Sequence, residues 1–172
     1  MKNYILLLLI AGTITQSSRC MTQDPYKRVY DIIYSGDSKA LKDLLTNMPR
    51  FNVSLRNPMT GETALTMIAG KDGKFDKLEK MKILLNKGAD VNARNDAGLT
   101  PLDKAIRSAN EPEVKLLLDY CANPLIENLD GISALDRAKN IADMATDPTM
   151  KAAAQRNLDL VQNAATKFSD SN

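Results

Sequence analysis

The sequence predicts an all-α stack of about four helix pairs, closed by a long final helix. Two observations carry that reading. Blocks of the chain recur at a spacing of 33 residues, and apolar residues fall at helical spacing in paired short segments divided by turn sequences. With 44% apolar and 26% charged residues, the chain suits one globular domain or a short repeat array.

The N-terminus comes first. Lys2 supplies a positive charge, Tyr4 to Ile10 form an apolar block that continues through Ala11, and small or polar residues follow to Ser18. A bilayer span needs about 20 apolar residues, so this block reads as a cleaved signal peptide over 1–18 rather than an uncleaved anchor. Cleavage is expected after Ser17 or Ser18, leaving a periplasmic or secreted protein with no further membrane contact. Cys20 raises the alternative of lipidation, but Arg19 stands where a lipobox wants Gly, Ala or Ser. In an oxidising compartment Cys20 could pair with Cys121, or both thiols could stay free.

The helices follow in order. Asp24-Pro25 reads as an N-cap with Pro at the first helical position. Val29, Ile32 and Ile33 then face Leu41, Leu44 and Leu45. Leu65, Ile68 and Ala69 face Leu78, Met81, Leu84 and Leu85, and Leu102, Ala105 and Ile106 face Val114, Leu117 and Leu118. No such pair can bury its apolar stripe alone, so neighbours must complete the core. Met67 and Met81 sit at core spacing. Asp147-Pro148 opens a final helix running to about Phe168, with Leu158, Val161, Ala165 and Phe168 on one face. Between the pairs, Asn57 to Gly61, Asn95 to Gly98 and Asn128 to Gly131 are turn sequences.

The repetition is specific. Met81-Lys82-Ile83-Leu84-Leu85-Asn86-Lys87-Gly88-Ala89-Asp90 aligns with Val114 to Asn123, Thr100-Pro101-Leu102-Asp103 with Ser133-Ala134-Leu135-Asp136, and Thr63-Ala64-Leu65-Thr66 stands one step earlier. Leu41 to Leu45 is an earlier copy of the Met81 helix. These motifs resemble ankyrin repeats, whose marks are a Thr-Pro-Leu-His opening and a Leu-Leu-x-x-Gly-Ala-Asp-Val-Asn close. The resemblance implies repeats near 24–56, 57–93, 94–126 and 127–168 in a domain spanning 19–172, with the turns forming hairpin-like fingers. Two departures stand out. The family His is Thr66, Asp103 and Asp136 here, so its hydrogen bonds must be made differently or lost. Cys121 replaces the glycine that ends the second helix in a left-handed conformation, which should be strained.

Catalysis finds no support in the residues. The chain has no His, no Gly-rich phosphate loop and no nucleophile with a visible base. Carboxylate pairs such as Asp136 with Asp143, or Asp31 with Asp37, arise readily among 21 acidic residues. Asp103 and Asp136 recur at one repeat position, which points to a structural hydrogen bond. No cofactor or metal is expected. A formal charge of +2 without a basic run argues against nucleic acid.

The resemblance instead implies protein binding, by a free monomer, through finger tips and the adjoining helix ends. Carried over by position, the candidate contacts are Arg56, Met59, Thr60 and Glu62, then Arg94, Asp96 and Ala97, then Glu127, Leu129 and Asp130, with Lys71, Arg107 and Ser108 on the helix ends. Met59 and Leu129 are apolar where turn tips are usually polar, as interface anchors or as finger-to-finger packing. For Leu99 and Ile132, packing is the expected role. The segment Gly70 to Asp76, carrying Phe75, extends its repeat by four residues and is either a tolerated loop or a binding knob. Size and leader make the architecture similar to periplasmic self-protection ankyrins. That similarity implies an inhibitor or immunity protein for an exported enzyme such as a peptidoglycan endopeptidase. Alternatives are an assembly or stabilising factor for another enzyme, for example an antioxidant one, or a secreted effector for a host protein.

If the leader is removed, mass spectrometry of the exported protein should find a start between Ser18 and Met21. Retention of Lys2 would mean an anchor, and a diacylglyceryl group on Cys20 would mean lipidation.

Overall fold

The protein is described by a computed structural model covering residues 27, 30–33, 37–48, 51–69 and 76–170. The leader, Cys20, the Asp24-Pro25 cap and the segment from Gly70 to Phe75 lie outside the described residues, as does Lys71 with it. Helical backbone at 30–33 precedes α1 (Ser38–Asn47). Then come α2 (Ala64–Ala69), α3 (Lys77–Asn86), α4 (Pro101–Arg107), α5 (Glu111–Asp119), α6 (Ala134–Met144) and α7 (Pro148–Asp170). Helices pair as α2 with α3, α4 with α5, and α6 with α7. The pairs stack in two layers, α2–α4–α6 on one side and α1–α3–α5–α7 on the other.

Local chemistry starts each helix. Asp37 accepts the Ala40 N–H at 2.7 Å. Thr100 and Asp103 form a reciprocal capping box, with Pro101 in the first turn, and Ser133 and Asp136 form the same box one repeat later. The Ser133 hydroxyl and N–H, at 2.5 and 3.2 Å, hold the Asp136 carboxyl below the usual range. Asp147 accepts the N–H groups of Thr149 and Met150 and so opens α7. The exception is α3. Its preceding residue, Asp76, adopts φ 55° and makes no cap bond. Its carboxylate instead receives the Ser38 N–H and hydroxyl, at 3.3 and 3.1 Å, tying the start of α3 to the start of α1. The helix start that follows the longest insertion is therefore held by its neighbour.

Helix ends obey the repeat as well. Gly88 (φ 83°) closes α3 with Gly88 N–H to Leu85 O and Ala89 N–H to Leu84 O, the Schellman pattern. Cys121 (φ 61°) closes α5 with the equivalent pair of bonds, Cys121 N–H to Leu118 O and Ala122 N–H to Leu117 O. The tertiary frame holds a side-chain-bearing residue in glycine's conformation, at a cost of about 1 kcal/mol.

The core is one continuous column. Leu41, Leu65, Met81, Leu84, Leu102, Val114, Leu117 and Val161 are fully buried, and Met67 is nearly so. All six residues of α2 are buried, so this short helix is held by packing on both sides rather than by propensity. Within α7, Ala154, Asn157, Val161 and Ala165 are buried while the opposite side is exposed, as a terminal cap requires. The helix extends to Asp170, slightly past the expected Phe168. Among the described residues, no helix is long and apolar enough to cross a membrane.

Polar links join the repeats. Asp103, wholly buried, keeps one oxygen for its own cap and offers the other to Arg137 Nε at 3.4 Å in the next pair. Thr66 bonds the Thr63 hydroxyl at 2.8 Å and stays within its repeat. The Asn92 side chain accepts the Asn123 N–H at 2.8 Å, and Asn86 accepts the Tyr120 hydroxyl at 2.6 Å. Buried Glu113 takes Lys77 Nζ at 2.7 Å, joining α3 to α5, and also Asn110 Nδ2. Burial pushes its carboxyl above the ordinary glutamate range, with the Lys77 hydrogen bond and charge pulling against that rise.

Leu84 and Leu117 occupy equivalent, fully buried positions. Each change to Ala should cost roughly 2–5 kcal/mol in urea unfolding. A neutral result at either would show that the column is not packed in this register.

Candidate functional site

Three fingers project from the start of α2, α4 and α6, each built around one asparagine. Asn57 Oδ1 accepts the Met59 N–H at 2.8 Å. Asn95 Oδ1 accepts those of Ala97 and Leu99, and Asn128 Oδ1 those of Asp130 and Ile132. The short side chain thereby mimics a backbone turn. A backbone bond then closes each hairpin: Asn57 N–H to Glu62 O, Asn95 N–H to Leu99 O, Asn128 N–H to Ile132 O. The first finger has three residues between Asn and Gly and the other two have two.

The fingers form a stack. Asp96 N–H donates to Thr60 O at 3.1 Å, and Leu129 N–H to Ala97 O at 3.3 Å. Gly61 and Gly98 lie under the next finger in a left-handed turn (φ 64° and 76°). A Cβ on Gly61 would come 2.1 Å from Asp96 Oδ1, and one on Gly98 would come 2.8 Å from Leu129 N. Glycine is therefore required twice over, by the turn and by the neighbour.

Arginine completes the row. Arg56 Nη1 donates to the Gly61 carbonyl of its own finger at 3.1 Å and to the Arg94 carbonyl of the next. Arg94 repeats this: Nε to Gly98 O at 3.3 Å and Nη2 to Glu127 O at 2.9 Å. The guanidinium fork suits this double duty because its donors are fixed in one plane. Both arginines, candidates for partner contact, are thus committed to holding the fingers in register.

The other candidates separate into groups. Met59 and Leu129 are 88% and 72% exposed at the two ends of the row, with no packing role between fingers. Thr60, Asp96, Ala97, Glu127 and Asp130 are exposed on the same tips. Glu62 is half-buried and ion-paired with Lys104 of α4, so it links repeats as well as facing the tips. Leu99 and Ile132 are half-buried, as packing between fingers requires. Arg107 and Ser108 are exposed at the end of α4, the Ser108 hydroxyl bonded back to Lys104 O. Lys71 and Phe75 lie outside the described residues. The structure adds Leu125, 41% exposed just before the third finger, and Met144 and Met150, exposed around the α6–α7 turn. Leu125 carries the signal that marked Met59 and Leu129, an apolar residue in a turn, whereas Met144 and Met150 lie within α6 and α7.

The row carries four carboxylates, Glu62, Asp96, Glu127 and Asp130, beside the two arginines. Its apolar tips, acidic rim and rigid backbone make a surface for contact with another macromolecule. Among the described residues there is no group of three potential metal ligands.

A family model described as ankyrin repeats, in three copies, matches residues 30–128, more than half the chain. Similar proteins include human "SH3 and multiple ankyrin repeat domains protein 2", 38% identical over 82 residues, which are 48% of this chain and 4% of that protein. An ADP-ribosylation factor GTPase-activating protein of Arabidopsis thaliana is 45% identical over 58 residues, 34% of this chain and 8% of its own. An ankyrin repeat-containing protein of Treponema pallidum is 38% identical over 69 residues, 40% of this chain and 22% of its own. The chain therefore spans less than a quarter of each relative.

Arg94→Met removes two donated hydrogen bonds from a charged group and should lower stability by about 1–3 kcal/mol. Lys151→Met, on the exposed side of α7, should be neutral. Equal urea midpoints for the two variants would mean that the arginine ladder contributes nothing.

Proposed function

Because the chain belongs to the ankyrin-repeat family, whose arrays serve as protein-binding modules, we propose that it is an exported inhibitor that docks its finger row over an exported enzyme. The observation that carries this reading is the exposure of Met59 and Leu129 on tips that cannot yield. Large apolar side chains on a preorganised backbone supply anchor contacts without the cost of ordering a loop. Asp96, Glu127 and Asp130, exposed on the second and third fingers, add a local preference for Lys or Arg on the partner.

The exported compartment rests on the apolar block over Tyr4 to Ile10 behind Lys2, and the enzyme class on architectural similarity to self-protection ankyrins. A peptidoglycan endopeptidase is the specific target proposed. Such an enzyme needs a cleft open to a polymer, and a rigid row of tips can fill one.

The test uses the mature protein as bait in periplasmic extract, followed by hydrolysis of peptidoglycan by the captured enzyme. Equimolar protein should block hydrolysis. Combining Met59→Asp with Leu129→Asp should weaken binding by about 30-fold or more and leave helical circular dichroism and the melting temperature unchanged, since both side chains are exposed. Lys151→Glu, on the cap helix, should bind normally. Full binding by the finger variant with loss in the Lys151 variant would move the contact to α7 and overturn the proposal.

A further inference from the structure

In the layer formed by α1, α3, α5 and α7, a groove of about 630 Å³ runs between the end of α5 and the end of α7. That volume lies in the range of small-molecule sites. Its floor is apolar, made by Leu118 on one wall and Leu160, Ala164 and Phe168 on the other. Leu160, Ala164 and Phe168 fall four residues apart and so form one stripe of α7, beside the buried stripe of Val161 and Ala165.

The groove is a failure of coverage at a repeated position. Leu45, Leu85 and Leu118 are equivalent in the three copies of the second helix. The first two are 2% and 7% exposed, buried by the repeat that follows. Leu118 stays only half-buried, because the cap helix, not another repeat, follows it, and Ala164 offers a single methyl opposite. The rim carries two ammonium groups, Lys115 and Lys167, against one carboxylate, Asp119. An ammonium has three donors and can take an anion alongside any existing partner.

We propose that this groove binds a free single-chain fatty acid, its alkyl tail on Leu118, Leu160, Ala164 and Phe168 and its carboxylate at Lys115 and Lys167. The chemistry is that of a ligand with one apolar body and one negative end. The net positive rim favours an anionic head over a cationic one, and an open slot between two helices admits one chain rather than a bilayer surface. The free, exposed Cys121 thiol lines the same groove, so an occupant must shield it.

The experiment reads alkylation of Cys121 by iodoacetamide, followed by mass spectrometry of the peptide that contains it, with decanoate as the probe. Decanoate below its micelle threshold should slow alkylation saturably. Decyltrimethylammonium, with the same tail and the opposite charge, should not. Lys115→Glu, an exposed change checked by circular dichroism, should weaken protection by decanoate about fivefold, the scale of one exposed ion pair. Absence of protection, equal protection by both amphiphiles, or an unchanged decanoate response in the Lys115 variant would each overturn the proposal. None of these results depends on the finger row.

Discussion

Everything in this molecule depends on one constraint: no helix pair can bury its own apolar face. Leu65 and Met81 are fully enclosed only because α1 lies on one side of their pair and α4 and α5 on the other. The column from Leu41 to Val161 is therefore shared property, each repeat lending half of its core to the next. The polar links follow the same rule. Asp103 to Arg137, Lys77 to Glu113, Asn86 to Tyr120 and Asn92 to Asn123 all cross from one repeat to its neighbour. Rigidity of the finger row is the outward face of that sharing, since fingers stand where their helices are stacked.

Much of this was legible in the sequence for a physical reason. A periodic fold writes the same instruction several times, so Asn95 to Gly98 and Asn128 to Gly131 identify each other, and Thr100 to Asp103 identifies Ser133 to Asp136. The cap at Asp147, the structural hydrogen bonds of Asp103 and Asp136 and the left-handed turn at Cys121 were all readable from residue type and position. The expected replacement for the family His is also visible. Asp103 serves as both cap and inter-repeat acceptor, whereas Thr66 does only the local half of that work.

What the pattern hid were pairings that run from one repeat to the next. Arg56 and Arg94 look like projecting side chains because nothing in a single unit names the next unit's carbonyl as their acceptor. Glu113 carries a helical register that suits burial, but its ionic partner is 36 positions away in another repeat. The bond from Ser38 to Asp76 is of the same kind: Asp76 takes a left-handed conformation, as Ala109 does 33 positions later, and a different helix supplies its partner. The surface of a repeat protein is thus written in differences between copies, while its core is written in their agreement.

The arginine ladder gives the array a direction of growth. Each finger passes a guanidinium forward, from 56 to 94 and from 94 to 127, where the third copy has Glu and the relay stops. Gly131 beyond it has open space where Gly61 and Gly98 meet the next finger. A duplicated unit placed after the third finger would find room but no forward arm to hold it, whereas one copied from the second finger and placed before the third would bring its own arginine. Lineages that lengthened such a protein by internal duplication would therefore gain a stable repeat upstream of Glu127 and a loose one downstream. Glu127 marks the end of the array as surely as α7 does.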